Sequence, residues 1–270
     1  MSNRAVAIIQ ARMSSSRLPG KVLRPLAGKP MIWHIVQRAR ACQLVDEVVV
    51  ATSLESSDDP LASFCNETNV KCHRGSLDNV LSRYVEVLEE VSADYFVRIT
   101  GDCPLIHPQY IDGQIEALMA LDADQVRCYP TSTLLEGQGV YSTRSLLQIA
   151  LVSNHSDDKE HVGARYYSEH PEVFRTVGLQ LPSDLQDNRW RLTVDESEDY
   201  QLMATIYEAL YSGQPIPIEA VVNYLECHPE VATLNKHINH SAINQELASQ
   251  RESRQPDLVG KCFLQPFRIS

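Results

Sequence analysis

The chain is predicted to be an α/β protein with a mostly parallel central sheet and helices on both faces. Three observations predict it. Short apolar runs of strand length recur through the first half, at residues 5–10, 47–52, 70–74, 95–100 and 124–128. Segments with helical spacing lie between them, at 30–42, 60–68, 78–91 and 108–121. Helix-start signals fall where such an alternation needs them: Pro60 and Pro108 suit first-turn positions, and Asp78 suits a cap. Strand runs alternating with helices imply parallel strands buried on both faces.

The second half is less regular. A strand is expected around Val140, then a helix over 143–151, a helix over 159–169 and strands over 174–179 and 190–194. Helices over 198–210 and 218–227 close the pattern. One domain over 1–229 and a polar C-terminal arm over 230–270 are the simplest division.

Bulk properties narrow the function. At 270 residues the chain can bury a substantial core, and its net charge of −11 disfavours nucleic acid as a main partner. Seven cysteines without Cys-x-x-Cys spacing argue against a disulfide framework or a thiolate zinc site. No apolar run is long enough to cross a bilayer, and the stretch 5–9 is too short for a signal-peptide core. A cytoplasmic location with no membrane partner is expected.

Parallel α/β sheets bind ligands beyond the carboxyl ends of their strands, so the loops after Gln10, Arg74 and Thr100 are the places to search. The first runs Gln10-Ala11-Arg12-Met13-Ser14-Ser15-Ser16-Arg17-Leu18-Pro19-Gly20-Lys21. Three cations among small residues suit a polyphosphate, although a solvated basic loop has the same composition. Its place at the end of the first strand favours the phosphate reading. Neither the P-loop pattern nor Gly-x-Gly-x-x-Gly is present.

The third loop holds Gly101-Asp102-Cys103-Pro104-Leu105-Ile106, an Asp directly after a buried strand beside a glycine that permits close backbone approach. A cap for the helix at Pro108 is the competing reading. A second carboxylate, Asp195, follows Arg191-Leu192-Thr193-Val194, where capping the next helix is equally open. Asp122-Ala123-Asp124 follows a helical segment and reads as a junction rather than a metal motif, and His237 and His240 stand isolated.

The run from Ile8 through Arg12, Arg17 and Lys21 to Met31 resembles the cytidylyltransferase family, which includes spore-coat polysaccharide cytidylyltransferase-like proteins and the CMP-ketodeoxyoctulosonate and CMP-sialic acid synthetases. The resemblance spans about residues 5–230 and is strongest over 8–31, 98–108 and 189–200. It implies a nucleotide-diphospho-sugar-transferase type of fold. It implies transfer of CMP from CTP to an acidic sugar or similar small acceptor, releasing pyrophosphate, and a tendency to form homodimers. Arg12, Lys21 and Asp102 would be catalytic, and Ala11, Arg12, Ser16, Arg17, Lys21, Arg74, Ser76 and Gly101 would bind the nucleotide. Asp102 and Asp195 would hold Mg2+, and Glu160, His161 and Arg191 would face the acceptor. Relatives place acidic residues in the loop corresponding to 135–141, where this chain has only Glu136. A glycosyltransferase using a ready-made nucleotide sugar and a non-catalytic nucleotide-binding protein are the alternatives. The first has no triphosphate tail for the basic loop to grip.

Overall fold

A computed structural model describes residues 3–129, 136–181, 185 and 189–238. The first half follows the predicted alternation: β1 (Ala5–Gln10), α1 (Met31–Arg40), β4 (Glu47–Ser53), α2 (Asp59–Glu67), β5 (Lys71–Gly75), α3 (Val80–Val91), β6 (Tyr95–Thr100) and α4 (Pro108–Ala120). Between β1 and α1 lies a tight hairpin, β2 (Pro25–Leu26) and β3 (Lys29–Pro30). Its turn places Ala27 and Gly28 at positive φ without the Asn-Gly signal that would announce it. The second half holds β7 (Gln125–Tyr129), β8 (Gln138–Ser142), α5 (Thr143–Val152), α6 (Ser156–His161), α7 (Ala164–Glu169) and β9 (Thr176–Gln180). Then come α8 (Ser197–Leu210), α9 (Ile218–Cys227) and α10 (Pro229–Ala232).

The sheet has seven strands in the order β5-β4-β1-β6-β8-β7-β9. β5, β4, β1 and β6 pair parallel, β8 pairs antiparallel with both β6 and β7, and β9 is parallel to β7. Only β8 therefore runs against the other six. Strand periodicity sends alternate residues to opposite faces. In β1, Ala5, Ala7 and Ile9 pack with α1, α4 and α8 on one side, while Val6 and Ile8 pack with α3 and α5 on the other. β1 is central and buried on both faces, which is why its sequence reads as a continuous apolar run.

Several expected details shift. α3 starts at Val80 because Asn79, not Asp78, accepts the capping bond from the Ser82 N–H at 3.1 Å. The expected helix over 159–169 divides into α6 and α7, since Val162 and Gly163 adopt left-handed backbone conformations between them. Residues 190–194 form no strand; Val194 N–H instead donates to the Asp102 carbonyl at 2.8 Å. Asp122 and Asp124 lie at the α4–β7 junction, where Asp124 is buried against Arg144 and Ser142. The packed body continues past residue 229: α10 lies against α8, and Asn235 is buried. Residues 239–270, with His240 and most of the expected arm, lie outside the described residues.

Candidate active site

Three loops meet beyond the carboxyl ends of β1 and β6. The first leaves β1 at Ala11, whose N–H donates to the Ala51 carbonyl at 3.2 Å. It turns back so that Gly20 N–H reaches the Met13 carbonyl at 2.9 Å. Gly20 sits at φ 71°, a conformation that costs an L side chain energy. The turn delivers Lys21 inward: it is only 7% exposed. The second loop leaves β6 through Gly101, whose N–H bonds the Gln10 carbonyl at 2.9 Å. A Cβ there would stand 2.9 Å from both the Ala11 Cβ and the Gln10 oxygen, so the crossing of the two loops requires glycine. The third loop, 189–196, passes beside Asp102 through the Val194 bond described above.

Lys21 is the centre. Its Nζ donates to Asp102 Oδ2 at 3.1 Å, to Asp195 Oδ1 at 2.9 Å and to the Val194 carbonyl at 2.8 Å. Arg17 reaches the same Asp195 Oδ1 at 2.8 Å and Glu196 at 3.6 Å. Burial alone would pull the Lys21 ammonium down, but Asp102 and Asp195 outweigh it and hold the group above its ordinary value. Burial would likewise raise Asp102; Lys21 and a Thr100 hydrogen bond reverse this and keep the carboxyl below its ordinary range. The neighbouring Cys103 goes the other way. Burial, then the Asp102 charge, pushes its thiol up, which removes it as a thiolate nucleophile.

Neither aspartate is spent on helix capping. His107 Nδ1 caps α4 by accepting the Tyr110 N–H at 3.1 Å. At α8, Asp199 accepts the N–H groups of Asp195 and Glu196 at 3.0 and 2.9 Å. Behind Asp195 stands Arg191, 8% exposed, which spans Asp195 Oδ2 at 2.9 Å and Asp199 Oδ1 at 3.1 Å. Its guanidinium orients a carboxylate from behind. Asn235 closes this layer, donating to Asp199 Oδ1 at 2.8 Å and to the Arg191 carbonyl at 2.9 Å.

Arg12 and Ser16 are exposed on the first loop, and Arg12 joins no ion pair among the described residues. Arg74 lies at the end of β5 and spends its guanidinium on the carbonyls of Ser53 and Glu55, both at 2.9 Å, and on Asp59 at 2.7 Å. Ser76 is exposed, its hydroxyl accepting the Asn79 N–H at 3.2 Å. Glu160 and His161 belong to α6, which packs against α3; Glu160 is exposed. Glu136 borders the cluster by accepting the Thr193 hydroxyl, while Leu135 lies outside the described residues.

Two residues beyond the sequence reading support the site. Asp58, fully buried, accepts the Met13 N–H at 2.6 Å and the Ser53 N–H at 3.1 Å, tying the basic loop to the end of β4. Asp199 anchors Arg191. Both stood in acidic runs at helix starts, where a solvated first turn explains an Asp equally well. Among the described residues no group of three or more His, Cys, Asp and Glu side chains is arranged to hold a metal ion by itself. Two hard carboxylates do converge, however, and magnesium takes only one or two from a protein, completing its shell with phosphate and water. The donor set fits.

A sequence pattern described as Cytidylyltransferase matches residues 6–217. Among curated proteins, the spore coat polysaccharide biosynthesis protein SpsF of Bacillus subtilis (strain 168) is 32% identical over 236 residues, covering 86% of this chain and 98% of that protein. A 3-deoxy-manno-octulosonate cytidylyltransferase of Geobacter metallireducens is 39% identical over 114 residues, 42% of this chain and 44% of its own. Among solved structures, a cytidylyltransferase from Leptospira borgpetersenii serovar Hardjo-bovis (strain JB197) superposes with a TM-score of 0.78 at 24% identity. That match covers 88% of this chain and 99% of the other.

Proposed function

The chain belongs to the cytidylyltransferase family and is a nucleotidyltransferase, and we propose that it moves CMP from CTP to an acidic sugar or similar small acceptor, releasing pyrophosphate, in surface polysaccharide biosynthesis. The observation that carries this reading is the meeting of Lys21, Arg17, Asp102 and Asp195 at one point from three separated segments. The acid-sugar acceptor follows the name of the octulosonate relative, and the polysaccharide setting that of the spore-coat relative.

In this reading an acceptor oxygen attacks the α-phosphorus and the bond to the β-phosphate oxygen breaks. Such chemistry needs positioning and charge neutralisation more than covalent help. Lys21 exchanges carboxylate partners for phosphate oxygens as the triphosphate enters, and Arg17 and Arg12 close on the departing pyrophosphate. Asp102 and Asp195 hold a divalent cation, magnesium in this proposal. When bound, it supplies Lewis acidity and charge neutralisation at the phosphate oxygens. Arg191 and Asp199 keep Asp195 pointed inward throughout. Glu136, on the rim beside Thr193, lies where an acceptor approaches.

The test is pyrophosphate release from each of the four nucleoside triphosphates with magnesium and a panel of sugar acids and phosphorylated small molecules. Release with CTP and one acidic sugar is expected. CTP binding without release for any acceptor would refute the proposal.

A further inference from the structure

Arg83, on the second turn of α3, is 3% exposed, yet its side chain makes no hydrogen bond or ion pair among the described residues. Its Nε and Nη1 are sealed and unpartnered, leaving only Nη2 in touch with solvent. Other buried arginines behave differently. Arg38 also leaves Nε unpaired, but Nη1 donates to the Ile106 carbonyl at 3.0 Å and Nη2 to that of Ile216. A desolvated guanidinium without acceptors is costly, and folded proteins rarely keep one without a use. Its surroundings deepen the cost. Burial, the largest effect, and repulsion from Arg12 both pull the guanidinium below its ordinary value.

The position identifies the use. The Arg83 stem packs against Gly75 at the carboxyl end of β5, and its charge feels both Arg12 after β1 and Asp58 after β4. It therefore belongs to the ligand-binding edge of the sheet. β5 and β6 are three strand spacings apart, about 14 Å. A nucleotide laid across the sheet covers this span, with its phosphates at Asp102 and its base near Gly75. Arg74, the arginine that the sequence suggests for the base, already has three protein acceptors. Arg83 has none.

We propose that Arg83 reads the nucleobase, donating to the adjacent acceptors O2 and N3 of cytosine. Nη2 meets the base first, and rotation about the last side-chain torsion presents Nη1 beside it. Uracil carries a proton on N3 and offers Arg83 a donor where cytosine offers an acceptor, so the same fork selects CTP over UTP. The inference rests on the nucleotidyltransferase reading and adds the residue that sets its base specificity.

Calorimetric titration of the full chain with CTP and with UTP, for the wild type and Arg83→Met, tests it; thermal unfolding of both proteins accompanies the titrations. Met keeps the stem against Gly75 and removes the fork. The wild type is expected to prefer CTP by about 10- to 100-fold, and the variant to bring that ratio close to one. The unfolding midpoint should hold or rise, since the substitution removes only unpaired buried donors. A preserved preference in Arg83→Met overturns the assignment, as does a variant that unfolds or melts far below the wild type, because Arg83 would then be structural. Wild-type protein that binds no CTP removes the nucleotidyltransferase reading, and the assignment falls with it.

Discussion

Two parts of the sheet's carboxyl edge handle charge in opposite ways. At the β1–β6 end, Lys21, Arg17 and Arg191 are all paired with Asp102, Asp195 and their neighbours. At the β4–β5 end, buried Arg83 makes no hydrogen bond or ion pair among the described residues. A ligand entering the first end must compete with internal pairs; one entering the second finds donors waiting. In the proposed reading, the difference separates turnover from recognition. Rearranging a saturated cluster suits a site that acts on charge developing during reaction, whereas unpaired donors in a fixed place suit selection.

Breaking the saturated end should have the largest effects. Asp102→Asn is expected to fold and to lose about a thousandfold in kcat; steady-state pyrophosphate release would show it, and near-normal turnover would remove Asp102 from the site. Lys21→Met removes the cation that bridges the two carboxylates and leaves buried Asp102 facing Asp195 with Arg17 and Arg191 on the far carboxylate only. Turnover should fall about a hundredfold, and stability by about 3 kcal/mol in urea unfolding. Added magnesium should restore part of that stability.

The supporting layer gives smaller effects. Arg191→Gln is expected to lower kcat about tenfold by freeing Asp195, with KM for CTP little changed. If KM rises and kcat holds, Arg191 binds substrate directly instead of orienting Asp195. Asp58→Asn should do the reverse, raising KM several-fold through the loosened Met13 anchor and costing about 1–2 kcal/mol in stability.

The smallest effect concerns acid stability. Burial would raise the Asp58 carboxyl, but bonds from Ser53 and the Met13 N–H outweigh it and hold the group below its ordinary 3.8. Asp102 is depressed as well. A depressed folded value stabilises fully above about pH 4 and is lost as pH falls through it. Lys21, raised above 10.5, contributes fully below that value and loses its contribution only as pH rises through the raised one. Urea midpoints from pH 2 to 7 should therefore decline at the acid end, and more shallowly for Asp58→Asn.

The sequence made the parallel half of the sheet legible because β1 and β4 are buried on both faces and carry continuous apolar runs. It was poorer where one backbone torsion decides the outcome: Val162 breaks a helical pattern at positive φ, and Ala27 turns a hairpin without a turn signature. Of the site, Lys21 and Asp102 stood out in the loops that follow β1 and β6, and Asp195 after an apolar stretch that reads as a strand but forms none. Arg191 was legible only through the resemblance, and for the acceptor rather than for holding Asp195; Asp199 and Asn235 were not, since the work of all three depends on which buried atom each one faces. Arg83 looked like an ordinary helix residue; only its burial without a hydrogen bond or ion pair among the described residues sets it apart.

Asn235 ties the order of synthesis to the order of assembly. Its amide secures Asp199 and Arg191, and through them Asp195, from a point more than two hundred residues beyond the first loop. While the chain is being made, β1, β4, β5 and β6 can pair as soon as residue 100 has emerged. The carboxylate on the far side of Lys21 gains its last brace much later. A half-made chain therefore holds a sheet and a basic loop but not the braced cluster around Lys21.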